Sequence, residues 1–241
     1  MMKVPVTVLL FTSLSLTVLE SAAQFKLPKL PTKNNTAGVS SDEAGRGIKE
    51  ALTQGVTTAV LNLNKTDGFF GSEVYKMFLP PDAVKIENTL RKAGMGAQVD
   101  KAILAINRGA EDAVAYAKPI FVDAIKEMTF ADALNILKGN KDAATQYFKQ
   151  KTTEKLIAAF TPSVKSSLDK VEATKYYADM VNTYNKFPTT FKKINPDLPS
   201  YVVSKAVDAL FDQVAKEEAN IRANPVARTS DLMKKVFGSK I

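Results

Sequence analysis

The sequence predicts an all-α fold, an irregular bundle of roughly eight to ten helices in one domain or one domain with two lobes. Three observations carry this expectation. Apolar residues return at spacings of three and four along most of the chain, as in Ile48, Leu52, Val56, Ala59, Val60 and Leu63. Helix start and stop signals punctuate that pattern, with Ser40-x-x-Glu43, Thr129-x-x-Asp132, Gly94, Gly139 and well-spaced prolines. Strand patterning is weak everywhere; only Val74–Leu79 reads as a short extended segment. No fixed-period repeat is present.

Each element follows from local signals. Ser40 and Glu43 form a capping box for a helix running to about Leu63, stopped by the turn Lys65-Thr66-Asp67-Gly68. Phe69–Pro80 carries large apolar residues without a helical period. Pro81 suits the first turn of a helix that continues to Ala93 and ends at Gly94 and Gly96. Ala97–Met128 reads as a long helix that Pro119 kinks or breaks near Lys118. Thr129 and Asp132 cap the next helix, which ends at Lys138-Gly139. Asp142 starts another, reaching about Phe160, and Pro162 opens a further short one. Glu172–Phe187 is helical, with its tyrosines expected as core and groove lining. Pro196 and Pro199 frame a loop before the helix Ser200–Ala223. Thr229 or Ser230 caps a final helix ending at Gly238.

The first residues read as an export signal. Met1-Met2-Lys3 is a positive start, Val4–Leu19 is mostly apolar, and Ser21-Ala22-Ala23 supplies small residues before a cleavage point at Gln24. The apolar run is short for a membrane span, which needs about 20 residues. Residues 24–40, rich in Lys, Pro, Asn and Thr, read as a flexible basic tether, and 41–238 as the helical domain. The chain is thus expected to be exported, periplasmic or secreted, with no transmembrane segment in its mature form.

Composition excludes several chemistries. The chain has no Cys, His or Trp. Disulfides, thiol nucleophiles, Ser-His-Asp triads, the usual zinc sites and His-ligated haem are therefore unavailable. No phosphate loop or dinucleotide fingerprint occurs, so no cofactor and no metal is expected. Ser167-x-x-Lys170 lacks the partner motifs that would give it meaning. The net charge of +8 favours anionic partners or serves solubility alone. Its bases are interspersed with acids rather than striped, which argues against nucleic acid.

Polar residues nevertheless occupy helix faces that should be apolar. On Ser200–Ala223 the stripe Val203, Val207, Leu210, Val214, Ile221 is completed by Glu218, with Arg222 one turn further on. On the helix after Ala97, Leu104, Asn107, Glu111, Val114 and Lys118 share a face, and Arg108 lies beside it. Arg228 sits at the corner Asn224-Pro225…Thr229, placed to satisfy orphan carbonyls. A buried polar group without a partner costs several kcal/mol. Asn107, Arg108, Glu111, Glu218, Arg222 and Arg228 are thus candidates for one polar seam. Its role stays open among a packing lock, a ligand site and acid–base catalysis by Glu111 and Glu218. Asp142 starts its helix as an N-cap or leaves free N–H groups for an anion.

N-R-G-A-E (Asn107–Glu111), D-A-A-T-Q-Y-F (Asp142–Phe148) and I-R-A-N-P-V-A-R-T (Ile221–Thr229) occur in that order, beside K-T-D-G-F (Lys65–Phe69) and A-K-P-I-F-V-D-A-I-K-E-M (Ala117–Met128). In this combination the chain resembles a bacterial domain of unknown function, DUF family 4197, from about Ser41 to Gly238. Gly109 stands where the resemblance leads one to expect Ala. The resemblance implies an exported, all-helical envelope protein and supplies no catalytic residues. Some relatives resemble lipoproteins, whereas this chain has no Cys to carry a lipid. The expectation that follows is a helical binding or interaction module. Its partner would be a small amphiphilic or anionic ligand, or an envelope component. A hydrolase using Glu111 and Glu218, and a structural envelope protein whose seam is only a lock, are the alternatives.

Overall fold

Ser40 Oγ accepts the Glu43 N–H at 3.2 Å, and Glu43 Oε2 accepts the Ser40 N–H at 3.0 Å. Thr129 and Asp132 repeat the exchange. Both boxes satisfy donors that a helix leaves unpartnered in its first turn. The computed structural model describes residues 39–186, 188 and 192–238. Within them lie α1 (Ser41–Asn64), α2 (Val84–Lys92), α3 (Gly96–Val114), α4 (Ala117–Glu127), α5 (Phe130–Lys138), α6 (Ala143–Asp169), α7 (Ala173–Asn185), α8 (Leu198–Ala223) and α9 (Asp231–Gly238). Short 3-10 turns cover Pro81–Ala83 and Pro225–Ala227. No strand occurs among the described residues, and the fold is all-α. The expected export signal and nearly all of the tether lie outside the described residues.

Pro199, expected in a loop, lies in the first turn of α8, where its missing N–H forfeits no helical bond. Three further expectations change, each for a physical reason. The break expected near Lys118 in the helical segment 97–128 falls earlier, at Ala115–Tyr116, between α3 and α4. Pro119 falls in the first turn of α4, where a missing N–H forfeits no helical bond. Pro162, expected to open a new helix, instead lies inside an unbroken α6. It forfeits the N–H that would reach the Ala158 carbonyl. Fully buried Phe160, Val164 and Leu168 flank it and hold the helix through packing. Finally, Val74–Leu79 is no strand, because no second strand pairs with it.

The core gathers where α3, α6 and α8 pack on one another, with α1 against α8 and α4 against α1 and α6. At its centre Phe121 meets Phe148 edge-on at 5.1 Å and Phe211 at 6.1 Å, a geometry favoured by aromatic quadrupoles. Gly109 lets α3 approach α6 closely. A Cβ there would lie 3.1 Å from Ser167 Cβ.

Gly68 is required more strictly. It follows Asp67, which holds φ at +64°, and a Cβ on Gly68 would stand 2.3 Å from the Leu63 carbonyl oxygen. That obstacle is backbone at the end of α1. Gly68→Ala is expected to lower stability by about 1–3 kcal/mol or more, read from denaturant midpoints.

α9 closes on α1 through buried Met233 and Val236. A link from Lys235 Nζ to Glu43 Oε1 at 2.8 Å ties the two helices at the surface. The Lys235 ammonium, then the Ser40 N–H, pull the Glu43 carboxyl down to about 2 from an ordinary 4.5. Since the folded pKa is the lower one, the link stabilises above about 4.5 and is lost as pH falls towards 2. The Met233 and Val236 methyl resonances are expected to move across that window in NMR titration. In Glu43→Gln that transition is expected to vanish.

Candidate functional site

The structure divides the expected polar seam into two separate knots. The first lies on α3. Asn107 is completely buried, and its Oδ1 accepts the Met77 N–H at 2.9 Å. Its Nδ2 donates to the Met77 carbonyl at 2.8 Å and to the Ile103 carbonyl at 2.7 Å. One side-chain amide thus does for Met77 what a neighbouring strand would do. This explains why an extended-looking segment exists without a sheet.

One turn along, Glu111 Oε1 accepts the N–H groups of Phe69 and Phe70 at 3.0 and 3.2 Å. Its Oε2 accepts Arg108 Nη1 at 2.5 Å. Arg108 Nη2 continues to Asp67 Oδ1 at 2.7 Å, and Asn64 Nδ2 donates to the Glu111 carbonyl. The bonds to Glu111, then Asp67, hold the Arg108 guanidinium further above its ordinary pKa. Apart from the Asn64 bond from the end of α1 and the Ile103 bond within α3, this knot pins the loop 65–79 onto α3.

The second knot joins α5, α6 and α8. Glu218 is buried, as the stripe on α8 requires. Its Oε1 accepts the Ala144 N–H at 3.0 Å, and its Oε2 accepts the Thr145 N–H at 2.9 Å and the Thr145 hydroxyl at 2.8 Å. Oε1 also accepts Arg222 Nε and Nη2 at 3.0 and 2.9 Å. Arg222 reaches on to the Ile136 carbonyl at 2.7 Å. The carboxylate therefore caps the positive start of α6, and the guanidinium caps the negative end of α5. Each charge sits where the helix dipole favours it. Arg228 completes the corner as expected, donating to the carbonyls of Ile221 and Arg222 at 3.1 and 2.9 Å.

Several expectations need correction. No hydrogen bond or ion pair joins Asn107, Arg108 and Glu111 to Glu218, Arg222 and Arg228 among the described residues. Spacing along one helix set Glu218 beside Arg222, and Asn107 and Glu111 on one face, but it carried no information across the hundred or so residues between the two groups. Leu104 is exposed rather than part of the buried face. Lys118 leaves that face because the chain breaks at Ala115–Tyr116. Asp142 does not cap α6 with its side chain, which bonds Gln146 instead. The capping anion comes from Glu218, seventy-odd residues away.

Beside Glu218 lies an apolar cavity of about 30 Å³, lined by Ile48, Leu52, Phe148, Val214 and Phe237 among others. That is room for about one water. A larger groove opens elsewhere. It has a volume of about 670 Å³ and runs between residues 74–79 and the face of α8 bearing Tyr201, Lys205, Asp208 and Asp212. Ligand sites commonly fall between about 300 and 1,000 Å³. Val74 and Phe78 project from it, 70% and 55% exposed. At one end Tyr75 donates its hydroxyl to Asp212 at 2.7 Å and accepts Lys216 Nζ at 2.7 Å. The Tyr75 bond, then Lys216, hold the Asp212 carboxyl below its ordinary pKa. Sequence reasoning missed this groove, because Tyr75 has no periodic relation to α8. The unexplained apolar run Val74–Leu79 was its only trace.

Among the described residues no cluster of three or more Asp or Glu side chains is arranged to hold a metal. None of their helices is long and apolar enough to cross a membrane. Comparison with family models matches residues 38–238 to the model described as a protein of unknown function, DUF4197. The chain belongs to the DUF4197 family. The match covers every helix of the fold and both knots. It also contains the motifs that contribute to them: N-R-G-A-E supplies the α3 side of the first knot, D-A-A-T-Q-Y-F the α6 side of the second, and I-R-A-N-P-V-A-R-T the second knot's Arg222 and Arg228. No curated protein and no solved structure matches this DUF4197 chain.

Proposed function

We propose that this DUF4197 protein is an exported binding or interaction module whose working surface is the groove between residues 74–79 and α8. The carrying observation is a contrast. Both polar knots are closed on themselves, and one of them holds Met77 in the lining of an open groove of ligand size. The Glu218 carboxylate accepts five hydrogen bonds from protein groups. Glu111 accepts three at its side chain. Neither carboxylate faces the groove, and they belong to separate knots. The paired-carboxylate hydrolase therefore gains no support from the geometry. Arg222 and Arg228 are likewise engaged with helix carbonyls, so neither supports an anionic ligand at the second knot. Export rests on the residues before Gln24 and belongs to the same proposal.

The test is native mass spectrometry of the chain purified from an exporting host, compared with Val74→Asp/Phe78→Asp. Both side chains are more than half exposed, so the variant is expected to melt within about 0.5 kcal/mol of the parent. A noncovalently bound species present in the parent and lost in the variant is the expected result. A bound species that persists in the variant would place the binding surface elsewhere.

A further inference from the structure

One side of the groove is lined by the segment 74–79. Asn107 bonds both the N–H and the C=O of Met77. A single amide reaches both only when they point to the same side, which is the extended conformation. In an extended chain the N–H and C=O groups of the adjacent residues point the opposite way. Burial follows the same alternation: Met77 and Leu79 are buried, and Phe78 between them is exposed. The Lys76 N–H is used within the turn, donating to the Ser72 carbonyl at 3.1 Å. The Phe78 N–H, the Phe78 carbonyl and the Lys76 carbonyl have no hydrogen-bond partner among the described residues.

We infer that the groove receives an extended peptide segment of a partner protein, which adds as a strand to the free edge at Lys76–Phe78. This rests on the reading of the groove as the working surface and names its ligand class. Alternating donors and acceptors at strand spacing match a peptide backbone, whereas a lipid chain leaves them unanswered. Side chains on alternate residues of the incoming strand would lie against Val74, Phe78 and Val84. On the α8 wall, Lys205 and Asp208 carry no ion pair among the described residues. With one free charge of each sign there, the wall gives no net preference for an acidic or basic peptide. Pro80 and Pro81 end the edge directly after Leu79, which keeps the added strand short.

The experiment uses a phage-displayed library of random peptides of about ten residues, enough to span an ordinary strand, panned against the full chain. Enriched peptides are then titrated by calorimetry in two forms, unmodified and N-methylated at alternate backbone nitrogens. Phe78→Pro serves as the matching protein variant. It removes an N–H that has no partner, next to a Met77 that is already extended, as a residue before proline prefers. The expected outcome is enriched peptides with alternating apolar residues. Methylation in one register only, and Phe78→Pro, should each weaken binding about tenfold. The Phe78 amide should become protected from exchange in the complex. Enriched peptides that bind equally well after methylation in either register would overturn strand addition, and so would a library that yields no binder. If a bound species disappears with Val74→Asp/Phe78→Asp while no peptide is enriched, the groove stands and the peptide class falls.

Discussion

Replacing Glu218 with alanine is expected to lower the stability of the fold by about 3–5 kcal/mol, as when one partner of a buried ion pair is removed. For a domain of this size that is about 6–20 °C in melting temperature. The loss has two parts. Arg222, four-fifths buried at its side chain, loses its counter-charge, and the Ala144 and Thr145 N–H groups lose their acceptor at the start of α6. The double variant Glu218→Leu/Arg222→Met separates them. Where a buried pair serves only itself, apolar replacement of both members is often neutral. Here it is expected to stay destabilised by about 1–3 kcal/mol, because the α6 donors remain buried without partners. A ligand-binding carboxylate would behave oppositely, with Glu218→Ala melting like the parent.

Asn107→Leu is expected to cost about 2–5 kcal/mol, because Leu keeps the branched shape of Asn, at a larger volume, but leaves the buried Met77 N–H and carbonyl unpaired. Unlike the Glu218 change, this one should also act on the groove. Residues 76–79 lose the partner that holds them extended, so their amides should exchange faster and any groove ligand should be weakened. Asn107→Asp restores an acceptor for the Met77 N–H but not the donors to the Met77 and Ile103 carbonyls. It is expected to recover less than half of the loss, as measured by denaturant unfolding.

Much of this was legible in the sequence because helices impose a local period. Glu218 could be placed in the core from Val214 and Ile221 alone, and its pairing with Arg222 follows from a one-turn spacing. The capping boxes at Ser40 and Thr129 were equally local. What sequence could not reach was any partnership carried by tertiary packing. Nothing near Asp142 shows that the cap of α6 arrives from α8, and nothing near Val74 shows that its strand partner is the amide of Asn107. The prolines teach the same lesson. Pro119 and Pro162 read alike as helix breakers, yet one lands in a first turn and the other is overruled by Phe160, Val164 and Leu168. Motif resemblance identified the family before any contact was known, but it left the division of labour between the two knots unresolved.

The central claim is that the buried polar residues are braces which hold backbone, and that the groove is what they present. Amide hydrogen exchange followed by NMR tests it most directly at Phe69, Phe70, Met77, Ala144 and Thr145. These N–H groups lie in a loop or in the first turn of a helix, where no backbone carbonyl protects them. Their acceptors are the side chains of Glu111, Asn107 and Glu218. The account predicts protection approaching that of the core helices at all five, lost at Ala144 and Thr145 in Glu218→Ala and at Met77 in Asn107→Leu. Exchange at the rate of open loops in the parent protein would contradict it, since the carboxylates and the amide would then be free to do something else.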